Sequence, residues 1–150
     1  MSAIDRIAIR RVDVERATVI SAQPFAAVVS KLAAAIGHPD MSEFASAVAA
    51  ARTSADLEAV VNAAIGTAGL MEMAHFDIGE VLRKDRPGAP KALRLVVGNP
   101  LIMKEMVKHL IAFECDPRMI LDIQRISAPE VRVTLRLPRP DRRGVDCYVS

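Results

Sequence analysis

The stretch Lys91–His109, KALRLVVGNPLIMKEMVKH, reads as a strand, a short turn and a helix. Leu93, Leu95, Val96 and Val97 form the apolar, β-branched run of a central strand. Gly98 and Asn99 end it, and both residue types tolerate the left-handed backbone of a sharp turn. Pro100 suits the first helical position, where no amide donor is needed, and Asn99 is then the N-cap. Met103, Met106, Val107 and Leu110 follow on one helical face, with Lys104, Glu105 and Lys108 on others.

Upstream, Val14 to Ser21 reads as a first strand, preceded by an N-terminal arm over residues 1–13. Pro24 opens a helix whose Phe25, Val28, Val29, Leu32 and Ile36 share one face, and Gly37 and His38-Pro39 end it. Asp40 or Ser42 caps a second helix, striped by Met41, Phe44, Ala45 and Val48 and running to about Arg52. Thr53 or Ser54 starts a third, with Leu57, Val60, Val61, Ala64 and Ile65 on one side. These two alanine-rich helices form an inserted pair expected to pack over a sheet. Leu70 to Ile78 reads as a strand, and Gly79 to Pro90 as a solvated turn around Lys84-Asp85-Arg86-Pro87-Gly88. Met119 to Ile126 and Val131 to Leu137 read as further strands, and Pro138 to Ser150 as a loose tail. This order predicts one α+β domain over residues 1–150, with a mostly antiparallel sheet and packed helices.

Bulk properties exclude several classes. A chain of 150 residues makes one domain with room for a core. Only four Phe and one Tyr are present, with no Trp, so aliphatic side chains must fill that core. A net charge of +2 argues for no nucleic-acid partner and no acidic membrane. No run of eighteen apolar residues offers a membrane span, and the charged N-terminal residues do not resemble a signal peptide. Cys115 and Cys147 follow no CxxC spacing, so neither a redox motif nor a zinc knuckle is indicated and the pair suits a reducing cytoplasm; no metal and no cofactor are expected.

Two places offer chemistry. Gly98, Asn99 and Pro100 present amides at a helix N-terminus, a geometry that attracts anions, with Lys104 one turn in. His75 and Asp77, two apart on a strand, leave the same face and are the candidates for acid–base work. Met71 and Met73 are expected on that face too, which also fits a partly buried strand with one polar pair. His38 reads as part of a structural turn, and His109 as a cation at a helix C-terminus. Arg132, Arg136, Arg139, Arg142 and Arg143 have only Tyr148 as an aromatic companion, which fits a solvated surface.

The segments FDIGEVLRK and LRLVVGNPLIMKEM resemble the family called domain of unknown function 302. Asp77, Leu82, Lys84, Gly98, Asn99 and Pro100 occupy its motif positions. The earlier ERATVISAQPFAAVVSKLAAAIGHPDM, with its Ile36-Gly37-His38-Pro39 turn, is similar to the branch of that family carrying a helical pair. The resemblance covers roughly residues 14–109. It implies a β-α-β(4)-α sheet akin to TATA-binding-protein-like folds, often in a homodimer, and implies no activity. After His109 the family's closing hairpin and helix are not recognisable. The resulting expectation is a homodimeric, non-catalytic domain that binds a small anionic ligand or serves as an accessory module. The alternatives are an enzyme using His75 and Asp77, and an interaction domain without ligand.

Overall fold

A computed structural model describes residues 14–108, 119–125 and 130–138. The chain runs β1 (Val14–Ser21), α1 (Phe25–Ala35), α2 (Met41–Ala50), α3 (Ser54–Ala64), β2 (Met71–Asp77), α4 (Ile78–Asp85), β3 (Ala92–Gly98), α5 (Pro100–Lys108), β4 (Met119–Arg125) and β5 (Val131–Pro138). The five strands form one antiparallel sheet in the order β1-β5-β4-β3-β2, so the α+β class holds and β1 and β2 are its edges. The N-terminal arm, His109, both cysteines and the tail beyond Pro138 lie outside the described residues. Pro138 itself belongs to β5, where it stands opposite Val14.

Alternation along the strands selects the inner face. Leu93 and Leu95 stand opposite Ile123 and Leu121, which stand opposite Val133 and Leu135. Val28 of α1 and Ile36, which caps its C-terminus, close over this surface with Leu95, Val97, Leu121, Ile123 and Val131, and Phe25, Val29 and Leu32 border it. The expected α1 stripe is therefore the one that builds the core. Fully burying such a side chain is worth about 1.5–3 kcal/mol, and Val97 and Ile123 are among those without solvent contact. On the other face, Asp122 accepts from Arg94 Nε at 2.7 Å and Nη2 at 3.0 Å, and from Arg136 Nη2 at 3.2 Å.

Three expectations about elements need correction. Gly79 to Pro90 is not all turn: Asp77 caps a helix over Ile78–Asp85, accepting from the Glu80 amide at 2.6 Å. The helical pair, expected over a sheet, makes its strongest contacts among the described residues within itself and, through α3, with α5. Met41 and Val48 of the α2 stripe are consequently exposed. Gly98 is a buried strand residue without left-handed backbone; among the described residues only Gly69 has positive φ, at 71°.

Candidate functional site

A backbone crossing builds the site. Gly37 leaves α1 and runs beside β2 for one parallel bridge with Met71. Its amide donates to Leu70 O at 2.9 Å, and the Glu72 amide donates to Gly37 O at 2.8 Å. Gly66, at the end of α3, donates to the same Leu70 carbonyl at 2.9 Å. This ladder sets His38, the residue after Gly37, beside Glu72.

A second device supplies the partner. The pairing of β2 with β3 shifts between Glu72 and Ala74, a β-bulge that inserts one residue. Glu72 then stands opposite Val97, His75 opposite Leu95 and Asp77 opposite Leu93, all on one face. Met71 stands opposite Gly98, off that face, which corrects the expectation that it flanks His75. The bulge thus brings Glu72 and His75 together although they are three apart.

The result is a carboxylate between two imidazoles. His38 Nδ1 lies 3.2 Å from Glu72 Oε2, and His75 Nδ1 lies 3.3 Å from Glu72 Oε1. The Glu72 side chain is 19% exposed, whereas both rings are close to half exposed. The other nitrogen of His38, Nε2, lies 2.9 Å from Ala33 O at the end of α1. His75 has its Nε2 free of partners among the described residues.

The expected pair does not form. His75 and Asp77 share a face, but Asp77 is engaged by the Glu80 amide and lies 3.7 Å from Arg83. At the Gly98 turn, the side chain of Asn99 caps α5 by accepting from the Leu101 amide at 2.9 Å, and donates to Gly69 O at 2.9 Å. The Met103 amide donates to Asn99 O at 3.0 Å. Lys104 donates to Ser54 Oγ at 2.6 Å, tying α5 to α3. Asn99 and Pro100 therefore hold the turn, and the cation expected beside it serves the helix contact.

Glu72 was not legible as a site residue, since a strict two-residue alternation puts it on the opposite face from His75. Among the described residues no group of three or more His, Cys, Asp or Glu side chains is placed to hold a metal ion. No described helix is long and apolar enough to cross a membrane. A shallow groove of about 350 Å³ lies between α2 and α3, lined by Pro39, Phe44, Ala47 and Val60, with Asp40 and Glu43 among its polar residues. Asp40 is committed there to the α2 cap, accepting from Ser42 and Glu43 amides at 2.9 Å. Comparison with protein-family models, curated proteins and solved structures returns no match.

Proposed function

We propose that this chain is a cytoplasmic, non-catalytic ligand-binding or accessory domain, active as a homodimer, and that its small ligand is held at His38, Glu72 and His75. The observation that carries this reading is the convergence of Glu72 and His75 of β2 with His38 of the α1–α2 connection, with His75 Nε2 unpartnered among the described residues. The diversion of Asp77 to the α4 cap favours binding over acid–base catalysis by His75 with Asp77. The Leu101 and Met103 amides, the Asn99 side-chain amide and Lys104 are already used within the fold, which favours an anionic ligand at the imidazoles, groups that donate to anions when protonated. Resemblance to the domain of unknown function 302 family belongs to this proposal, as does the homodimer. The dimer is supported by two sheet edges that, among the described residues, have no partner strand beyond the single Gly37–Met71 bridge, and by the exposure of Ile78, Val81 and Leu82 on α4.

Thermal unfolding at pH 6 with inorganic phosphate and with small carboxylates tests the site. Binding to the folded state alone raises stability by about 2.7 kcal/mol at a hundredfold excess over Kd. The expected result is a rise in Tm that disappears in His75→Ala and persists in Lys104→Ala. The reverse pattern returns the ligand to the Gly98 turn. A flat response across the panel, with no small molecule co-purifying by mass spectrometry, overturns ligand binding.

A further inference from the structure

The strand residues that alternate with the core positions make the outer face of the sheet. One row across it runs Arg94, Asp122, Thr134 and Thr18, each opposite the next on β3, β4, β5 and β1. Two residues to one side, Arg136 stands opposite Arg16; two residues to the other, Arg132 stands opposite Ile20. Four arginines thus share a face on which Asp122 is the one acidic side chain among the described residues. Four against one is an excess of three positive charges, larger than the +2 of the whole chain. We infer that this face is a docking surface for an acidic polypeptide segment, whose carboxylates are received by Arg16, Arg132 and Arg136.

Asp122 does not balance the arginines around it. Arg94 engages both of its oxygens, and Arg136 Nη2 shares Oδ2 at 3.2 Å. Arg136 Nε is buried with no hydrogen-bond partner among the described residues, so Asp122 alone does not satisfy this guanidinium. Arg16 and Arg132 are exposed and form no ion pair among the described residues. Like charges directly opposite across a strand pair are unfavourable, and Arg16 and Arg136 are such a pair. A carboxylate set between them turns that repulsion into two attractions.

The same surface favours carboxylates over a nucleic-acid strand. A guanidinium fork matches a planar carboxylate, and Arg94 already displays this pairing with Asp122 through Nε and Nη2. Single-stranded nucleic acid is held by stacking its bases on aromatic rings. Phe76 is the one described aromatic of this face, and it lies on β2, at the opposite edge from Arg16. Ile20, 53% exposed and opposite Arg132, instead offers an apolar contact to a side chain of the docked segment. Glu72 and His75 lie on the other face of the sheet, so this surface is independent of the ligand site.

The full chain suffices for the test, with the fluorescence anisotropy of a fluorescein-labelled twelve-residue glutamate peptide as the readout. Wild type is expected to bind it, and to lose affinity as sodium chloride is raised from about 50 to about 300 mM, because exposed charges are screened. The double variant Arg16→Gln, Arg132→Gln is expected to weaken binding about tenfold at unchanged Tm, since both side chains are exposed. The double variant Lys31→Gln, Lys84→Gln removes the same charge from α1 and α4 and is expected to bind as wild type does. Absence of binding at low salt, or equal weakening by the lysine variant, overturns the proposal. Tighter binding of a twelve-nucleotide oligothymidine than of the peptide also overturns it and gives the face to a nucleic-acid strand. Amide chemical shifts of the wild type supply a reading without substitution. The peptide is expected to move signals of β1 and β5, and movement confined to α2 and α3 refutes the inference.

Discussion

Gly37 carries hydrogen where any other residue would carry a carbon 1.8 Å from the Ala64 carbonyl oxygen. Backbone, not a movable side chain, blocks that space, so α1 and α3 must separate to admit even a methyl group. Gly37→Ala is expected to cost more than about 4 kcal/mol, well beyond the usual range for a point substitution, or to prevent folding. Gly88→Ala is the control, since nothing lies within 4 Å of its added carbon; urea unfolding should move it by less than about 0.5 kcal/mol. Asp56 makes a residue-scale prediction about pH. Hydrogen bonding by the Thr53 side chain, then by the Arg52 and Thr53 amides, holds its carboxyl below the ordinary value of 3.8. A depressed folded value means that the carboxylate's contribution is present above that ordinary value and is lost as pH falls below it. NMR titration should place the Asp56 midpoint under 3.8, and Thr53→Ala should move it back up.

At the scale of elements, two strand-and-helix units show what periodicity reveals and what it hides. The α1 stripe was legible because its apolar residues face a core, so spacing and burial carry the same message. Helix α4 escaped notice because its apolar Ile78, Val81 and Leu82 point to solvent and the Pro87-Gly88 turn follows closely. Its cap, Asp77, reads in the sequence as a chemical group, whereas its carboxylate holds the start of the helix. Asp77→Ala should cost about 0.5–2 kcal/mol, the usual value of an N-cap, while His75→Ala, which removes no cap, should cost less. The bulge in β2 is the reason the site itself was only partly legible. A strand read with period two cannot place Glu72 beside His75, and the Gly37–Met71 bridge that delivers His38 joins residues thirty-four apart. Such long-range pairing leaves no local signal. The central strands make the complementary prediction. Ile123 is fully buried among α1 and β3 side chains, so Ile123→Ala should cost about 2–5 kcal/mol. A loss under 1 kcal/mol in denaturant would place the core elsewhere.

For the whole molecule, the open question is what covers the sheet edges. An unpaired edge strand offers amides and carbonyls to any neighbouring chain. Both β1 and β2 are edges, and their surroundings differ. Beside β2, Phe76 is exposed and α4 adds Ile78, Leu82 and Val81, the last 68% exposed. On β1, Val19 is 64% exposed on the inner face and Ile20 is exposed on the outer. A two-fold interface is self-complementary, so one apolar patch repeated across the axis covers itself. The β2–α4 side thus carries four exposed large apolar side chains, Phe76, Ile78, Val81 and Leu82, against two, Val19 and Ile20, on β1. The homodimer is therefore expected to form through α4 and β2. Sedimentation at micromolar concentration should show a dimer for wild type and a monomer for Val81→Glu, while Val19→Glu should stay dimeric. Because Val81 is exposed, its substitution should leave the Tm of the monomer near that of the wild type extrapolated to low concentration. Dissociation by Val19→Glu instead would move the interface to β1. A wild type that sediments as a monomer throughout the micromolar range would refute the homodimer and leave both edges to be protected by the twist and charge of the strands themselves.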